Sequence, residues 1–157
     1  MRKRCIRRIW PTTQDTVRLA IEGAAITSDS ILDRIRIAEL GAIESFVRGR
    51  ATVDDWVTLT GMTNVCETMA RGGIGHEALP VCQAAEQALI QAAKRYESTR
   101  VFGLTATGLT ALRDVFGYHD LQRQSISRGE FERWLDKTRS RIASKAPGVA
   151  DLSLIHI

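Results

Sequence analysis

Cysteine is scarce in this chain. Cys5, Cys66 and Cys82 are an odd set with no close pair, which argues against a disulfide-stapled scaffold and fits a reducing interior. Long apolar runs are missing too, and a membrane-spanning helix would need about 18 or more such residues in succession. The opening MRKRCIRRIWP is not expected to act as a secretory leader, because Arg7 and Arg8 split Cys5 and Ile6 from Ile9 and Trp10. These absences place the expected compartment in the cytoplasm.

The familiar signatures of catalysis are also missing. There is no GxxxxGK[ST] phosphate loop, GxGxxG fingerprint, HExxH motif or nucleophile elbow. Gly72-Gly73-Ile74-Gly75 is glycine-rich but lacks the lysine and the preceding strand of a phosphate loop, so it reads as a turn between helices. Cys66, His76, Cys82 and His119 are conceivable metal ligands, yet no CxxC pair supplies two of them economically. Cys66 and Cys82 align with apolar stripes and are expected as buried thiols. His119 beside Asp120 lacks a nucleophile to activate, and Asp54, Asp55, Glu130 and Glu132 fall in the first turns of helices. The expectation is a protein that is not an enzyme, with no metal and no cofactor.

Basic charge is unevenly spread. Arg2, Lys3, Arg4, Arg7 and Arg8 crowd the first eight positions, and the rest of the chain carries 17 basic against 18 acidic residues. The pI of about 9.3 therefore describes an arm and not a continuous nucleic-acid footprint.

What the sequence does contain is helical periodicity. The longest pattern runs from Gly75 to Ser98, where Leu79, Cys82, Leu89 and Tyr96 recur at three- to four-residue spacing beside Ala85, Ala92 and Ala93. Small residues there allow close packing, so the remaining helices are expected to gather around this one. From Ser28 or Ser30 to Gly49 a second pattern follows Ile31, Ile35, Ala38, Ala42 and Phe46, widened by Leu32 and Ile43, with Arg34, Arg36, Glu39 and Glu44 mostly outside. A third begins after a Thr52 cap and runs through Trp56 to Ala70, with a break near Gly61 as its alternative. A fourth follows Thr105, with a kink expected at Gly117. Ser127 and Glu130 form a reciprocal capping signature for the fifth, which carries Trp134 toward the core and stops before Pro147.

The predicted fold is all-α: a compact bundle of five main helices, with residues 11–26 as a sixth short one. The expected organisation is a basic arm over residues 1–11, a single helical domain over 12–146, and a disordered or non-native tail over 147–157.

The stretches ATVDDWVTLTGMTNVCETMARGGIG and RVFGLTATGLTALRDVFGYHDLQRQSISRGEFERW resemble a family of uncharacterised small helical proteins found on bacterial phages and plasmids. The resemblance spans roughly residues 30 to 142. It implies a cytosolic bacterial or phage protein in a mobile-element context, and it brings no catalytic motif.

The functional expectation is a noncatalytic helical module that binds a protein partner, with self-association as one form of that binding. Its expected contact residues are Arg100 and Phe102 in the RVFGL connection, together with Arg2, Lys3, Arg4, Arg7, Arg8 and Trp10 of the arm. The alternative is a small nucleic-acid-binding regulator that uses the arm for phosphate contacts.

Overall fold

A computed structural model describes residues 29–148. The basic arm, the short helix expected over 11–26 and most of the C-terminal tail lie outside the described residues. Those described form five α-helices and no strand: α1 (Asp29–Val47), α2 (Val53–Arg71), α3 (Leu79–Thr99), α4 (Ala106–Gln124) and α5 (Arg128–Ala143). A 3-10 turn, His76–Ala78, leads from the Gly72–Gly75 turn into α3, whose first turn holds Pro80.

Local chemistry sets these boundaries. At the start of α2 the Asp55 N–H donates to Thr52 Oγ1 at 3.2 Å, and the Thr52 N–H donates back to Asp55 Oδ2 at 2.8 Å. Ser127 and Glu130 close the same reciprocal box before α5. Both boxes satisfy donors that a helix start leaves open. Thr105 Oγ1 accepts from Gly108 N–H and caps α4. Neither Gly61 nor Gly117 breaks its helix.

The organising helix is α2, not α3. It packs against α1, α3, α4 and α5. Every residue from Met62 to Ala70 is buried, and a helix covered on all sides needs no single apolar stripe. Of its buried threonines, Thr63 and Thr68 donate to the carbonyls of Leu59 and Asn64 one turn back, whereas Thr60 Oγ1 finds no hydrogen-bond partner among the described residues. Trp56 is fully buried, and its indole N–H donates to Leu89 O at 3.0 Å, tying α2 to α3.

The main core joins Ala42, Ile43 and Phe46 of α1 to Leu59 and Cys66 of α2, Cys82 and Leu89 of α3, and Leu112 and Val115 of α4. Burial of each Leu-sized side chain there contributes ~2 kcal/mol. A smaller cluster, Val65, Met69 and Ile126 with Phe131, Trp134 and Leu135, seats α5 against α2. Trp134 lies only partly buried, its ring filling the space a Cβ would take at Gly72.

Consecutive helices that pack together across short connections run antiparallel. The end of α1, the start of α2, the end of α3 and the start of α4 therefore share one pole of the bundle.

Candidate functional site

The interior polar groups hold the fold. Glu39 was expected outside, yet it is buried and takes two bonds from Arg123, at 2.7 and 2.9 Å. Its position explains the correction: Glu39 lies seven residues from both Leu32 and Phe46, on the face that meets α2 and α4. Arg123 also reaches Asp120 at 3.3 Å, and Asp120 accepts from Arg36 at 2.8 and 3.0 Å. Burial pushes the Glu39 carboxyl upward, partly countered by the Arg123 hydrogen bonds. Burial acts in the same sense on Asp120, but its bonds to Arg36 and Arg123 prevail and hold it below the usual range.

His119 is buried, with its ring nitrogen Nδ1 3.3 Å from Gln122 Oε1. Gln122 spends its amide N–H groups on Ile74 O at 2.7 Å and Cys66 O at 3.2 Å, so its oxygen faces His119 and Nδ1 must donate. Burial, helped by the Arg123 charge, lowers the imidazole to about 3. A histidine so shifted is neutral and inaccessible, which suits a structural tether between α4, α2 and the turn after α2.

The thiols of Cys66 and Cys82 are buried, as their stripes predicted. Contact with Cys82, reinforced by burial, raises the Cys66 thiol, which disfavours the nucleophilic thiolate. His76 is exposed on the 3-10 turn. Among the described residues no three of His, Cys, Asp and Glu gather in metal-holding geometry, and no helix is long and apolar enough to cross a membrane.

A feature open to a ligand is the pole where α3 ends and α4 begins. Arg100 terminates α3 in the left-handed conformation, φ 59°, with its N–H donating to Tyr96 O at 2.8 Å. Its guanidinium sits 5.7 Å from the Tyr96 ring centroid and stays exposed, with no ion pair among the described residues. Phe102, expected at the contact surface, is instead buried. It stacks on Tyr96 at 4.2 Å and meets Phe46 edge-on at 5.8 Å. The intervening Val101 is exposed, as is Val47 at the end of α1. An aromatic stack thus fixes the connection from beneath while Arg100 and Val101 face outward.

Beside this connection runs a groove of about 280 Å³. Ala84 and Ala88 of α3 and Gly108 of α4 form its narrow floor, Leu104 one wall, and Gln87 and Gln91 its amide-bearing rim. Close packing creates it, since a Cβ at Gly108 would stand 2.8 Å from Ala88 Cβ. Alanines at 84 and 88 and glycine at 108 were the available signal, but only pairing of α3 with α4 brings them together. The arm residues Arg2, Lys3, Arg4, Arg7, Arg8 and Trp10 lie outside the described residues.

Comparison with protein-family models, curated proteins and solved structures finds no significant match.

Proposed function

We propose that this chain is a noncatalytic protein-interaction module whose contact surface is the pole around Arg100 and Val101. The observation that carries this reading is the groove of about 280 Å³. It has an apolar floor and a rim of glutamine amides, and it lies beside an exposed valine and an arginine with no carboxylate partner among the described residues. Apolar floor, amide rim and uncommitted cation suit a protein segment that carries aliphatic side chains and carboxylates. The two sides are complementary because the rim can bond a peptide backbone while Arg100 pairs with an acid. In this reading the protein acts in the cytoplasm as an accessory or host-interaction factor of a mobile element, for example an anti-defence factor, the context its resemblance implies.

The five cations and Trp10 of the arm support a second reading, a small nucleic-acid-binding regulator. Affinity capture from a bacterial lysate, with and without nuclease, separates the two. The interaction reading expects an acidic protein retained after nuclease and lost from Ala84→Phe and Arg100→Glu variants, while a Leu121→Asp control retains it. Capture abolished by nuclease but indifferent to Ala84→Phe would favour nucleic acid.

A further inference from the structure

A second cavity, of about 230 Å³, lies against α5 and is lined by Glu130, Arg133, Trp134 and Lys137. One edge of the Trp134 ring is held against the backbone at Gly72, where a Cβ would stand 2.0 Å from the ring, so the indole is fixed in orientation. The ring is only partly buried, and the exposed Lys137 places its ammonium over it, 4.5 Å from the centroid. A cation held there marks an electron-rich face that solvent can reach.

The uncommitted charges around the ring are positive. Arg133 and Lys137 are exposed and have no ion pair among the described residues. The acids nearby are engaged: Glu132 with Arg128, Asp136 with Arg139, and Glu130 in the helix cap, where its Oε2 accepts from the Ser127 N–H at 3.2 Å. The two free cations are four residues apart on α5, about 6 Å along its axis, on either side of Trp134 in the chain.

We infer that this is a stacking site for single-stranded nucleic acid, in which one base lies on the Trp134 ring and the phosphates flanking it pair with Arg133 and Lys137. The cavity is smaller than the roughly 300–1,000 Å³ of a cofactor pocket and suits a single planar group. A stacked base is worth more than an exposed cation–π contact, so Lys137, on its flexible stem, yields the ring and keeps its charge for a phosphate. An acidic peptide answers the cations but brings no ring attached to each charge, whereas a nucleotide brings both together. Recognition by stack and charge tolerates sequence, because every base has a π-face. The inference uses neither the pole at Arg100 nor the arm.

Fluorescence titration of the full chain with a thymidine oligonucleotide tests the site. In a Trp10→Phe background Trp56 is buried, and Trp134 is the tryptophan open to a ligand. Saturable quenching is expected at low salt. Arg133→Gln with Lys137→Gln, both at exposed positions, should flatten the slope of log affinity against log salt by about 1.4, the share of two single-strand phosphate contacts. Trp134→Leu, checked for helicity by circular dichroism and read by oligonucleotide anisotropy, should weaken binding about tenfold. A salt slope unchanged in the double variant overturns the inference, as does equal quenching by a polyglutamate peptide. So does oligonucleotide binding without quenching of Trp134, because the contact would then lie in the arm. None of these readouts involves a protein partner, so this site and the proposed contact pole can fail separately.

Discussion

Glu39 of α1 and Arg123 of α4, 84 residues apart in the chain, meet as a buried two-point ion pair. Both side chains are nearly inaccessible, and Arg123 Nε has no hydrogen-bond partner. The pair is therefore a strict constraint on how α1 seats against α4. Its worth lies in the cost of breaking it, since a lone buried charge is far more unfavourable than a paired one.

Glu39→Ala should destabilise the protein by ~3 kcal/mol, because it leaves the buried Arg123 only its longer 3.3 Å contact with Asp120. The double variant Glu39→Leu, Arg123→Met should lose less than that, because it removes both charges together. Urea unfolding curves of the two variants give the comparison directly. A single variant no worse than the double would show that the pair is not electrostatically closed.

Legibility in the sequence followed the range of the interaction. The caps at Thr52, Thr105 and Ser127 depend on residues three positions away, and all three were readable. The outer placement of Glu39 was misread because its partner enters from a distant helix. The primacy of α2 was hidden for a related reason: buried Thr63 and Thr68 bond their own backbone, so the covered stretch from Met62 to Ala70 looks like a poor helix. Phe102 was legible both as a residue that pins the RVFGL connection to the core and as a partner contact, and the Tyr96 stack beneath it, which forms only when α3 ends where it does, decides for the core. The groove over Ala84 and Ala88 needed the α3–α4 pairing and left no linear motif.

Acid should weaken the fold through His119. Unfolded, this histidine has an ordinary value of 6.5, whereas in the fold burial, assisted by Arg123, lowers it to about 3. The folded state thus declines a proton that the unfolded state accepts. Stability is complete above 6.5 and falls toward pH 3 by as much as ~1.4 kcal/mol per unit for one such group. Asp120, held low, adds loss in the same direction at the acid end. Glu39 and Glu86, both raised by burial, act in the opposite sense. The discriminating measurement is therefore the difference between wild type and His119→Gln: the variant should start less stable but show a flatter decline between pH 6.5 and 4.

Two glycine substitutions should move stability in opposite directions. A Cβ at Gly72 would stand 2.0 Å from the Trp134 ring, so Gly72→Ala must displace the indole that seats α5 on α2. A loss of ~1–3 kcal/mol and a shift in tryptophan emission are expected. Gly117 is exposed inside α4, and a Cβ there meets nothing within 4 Å among the described residues. Gly117→Ala should stabilise by ~1 kcal/mol by restoring helix propensity. Thermal melts of the pair, read beside the emission spectra, check both signs.

The connection from Arg100 to Phe102 should separate folding from binding. Phe102→Ala removes a ring that packs against both Tyr96 and Phe46, and a loss of ~3–5 kcal/mol is expected. Val101→Asp changes the exposed side chain that lies between Arg100 and Phe102 in the chain and should alter stability by no more than ~0.5 kcal/mol. Arg100→Gly goes further, because position 100 holds a left-handed φ of 59° that glycine adopts without a Cβ penalty. That variant should melt higher than wild type while losing the cation offered to an acidic partner. Raised melting temperature with weakened capture assigns Arg100 to recognition, since a purely structural arginine would lose both together. Raised melting temperature with capture unchanged would leave Arg100 as a helix terminator and move recognition into the groove beside Leu104.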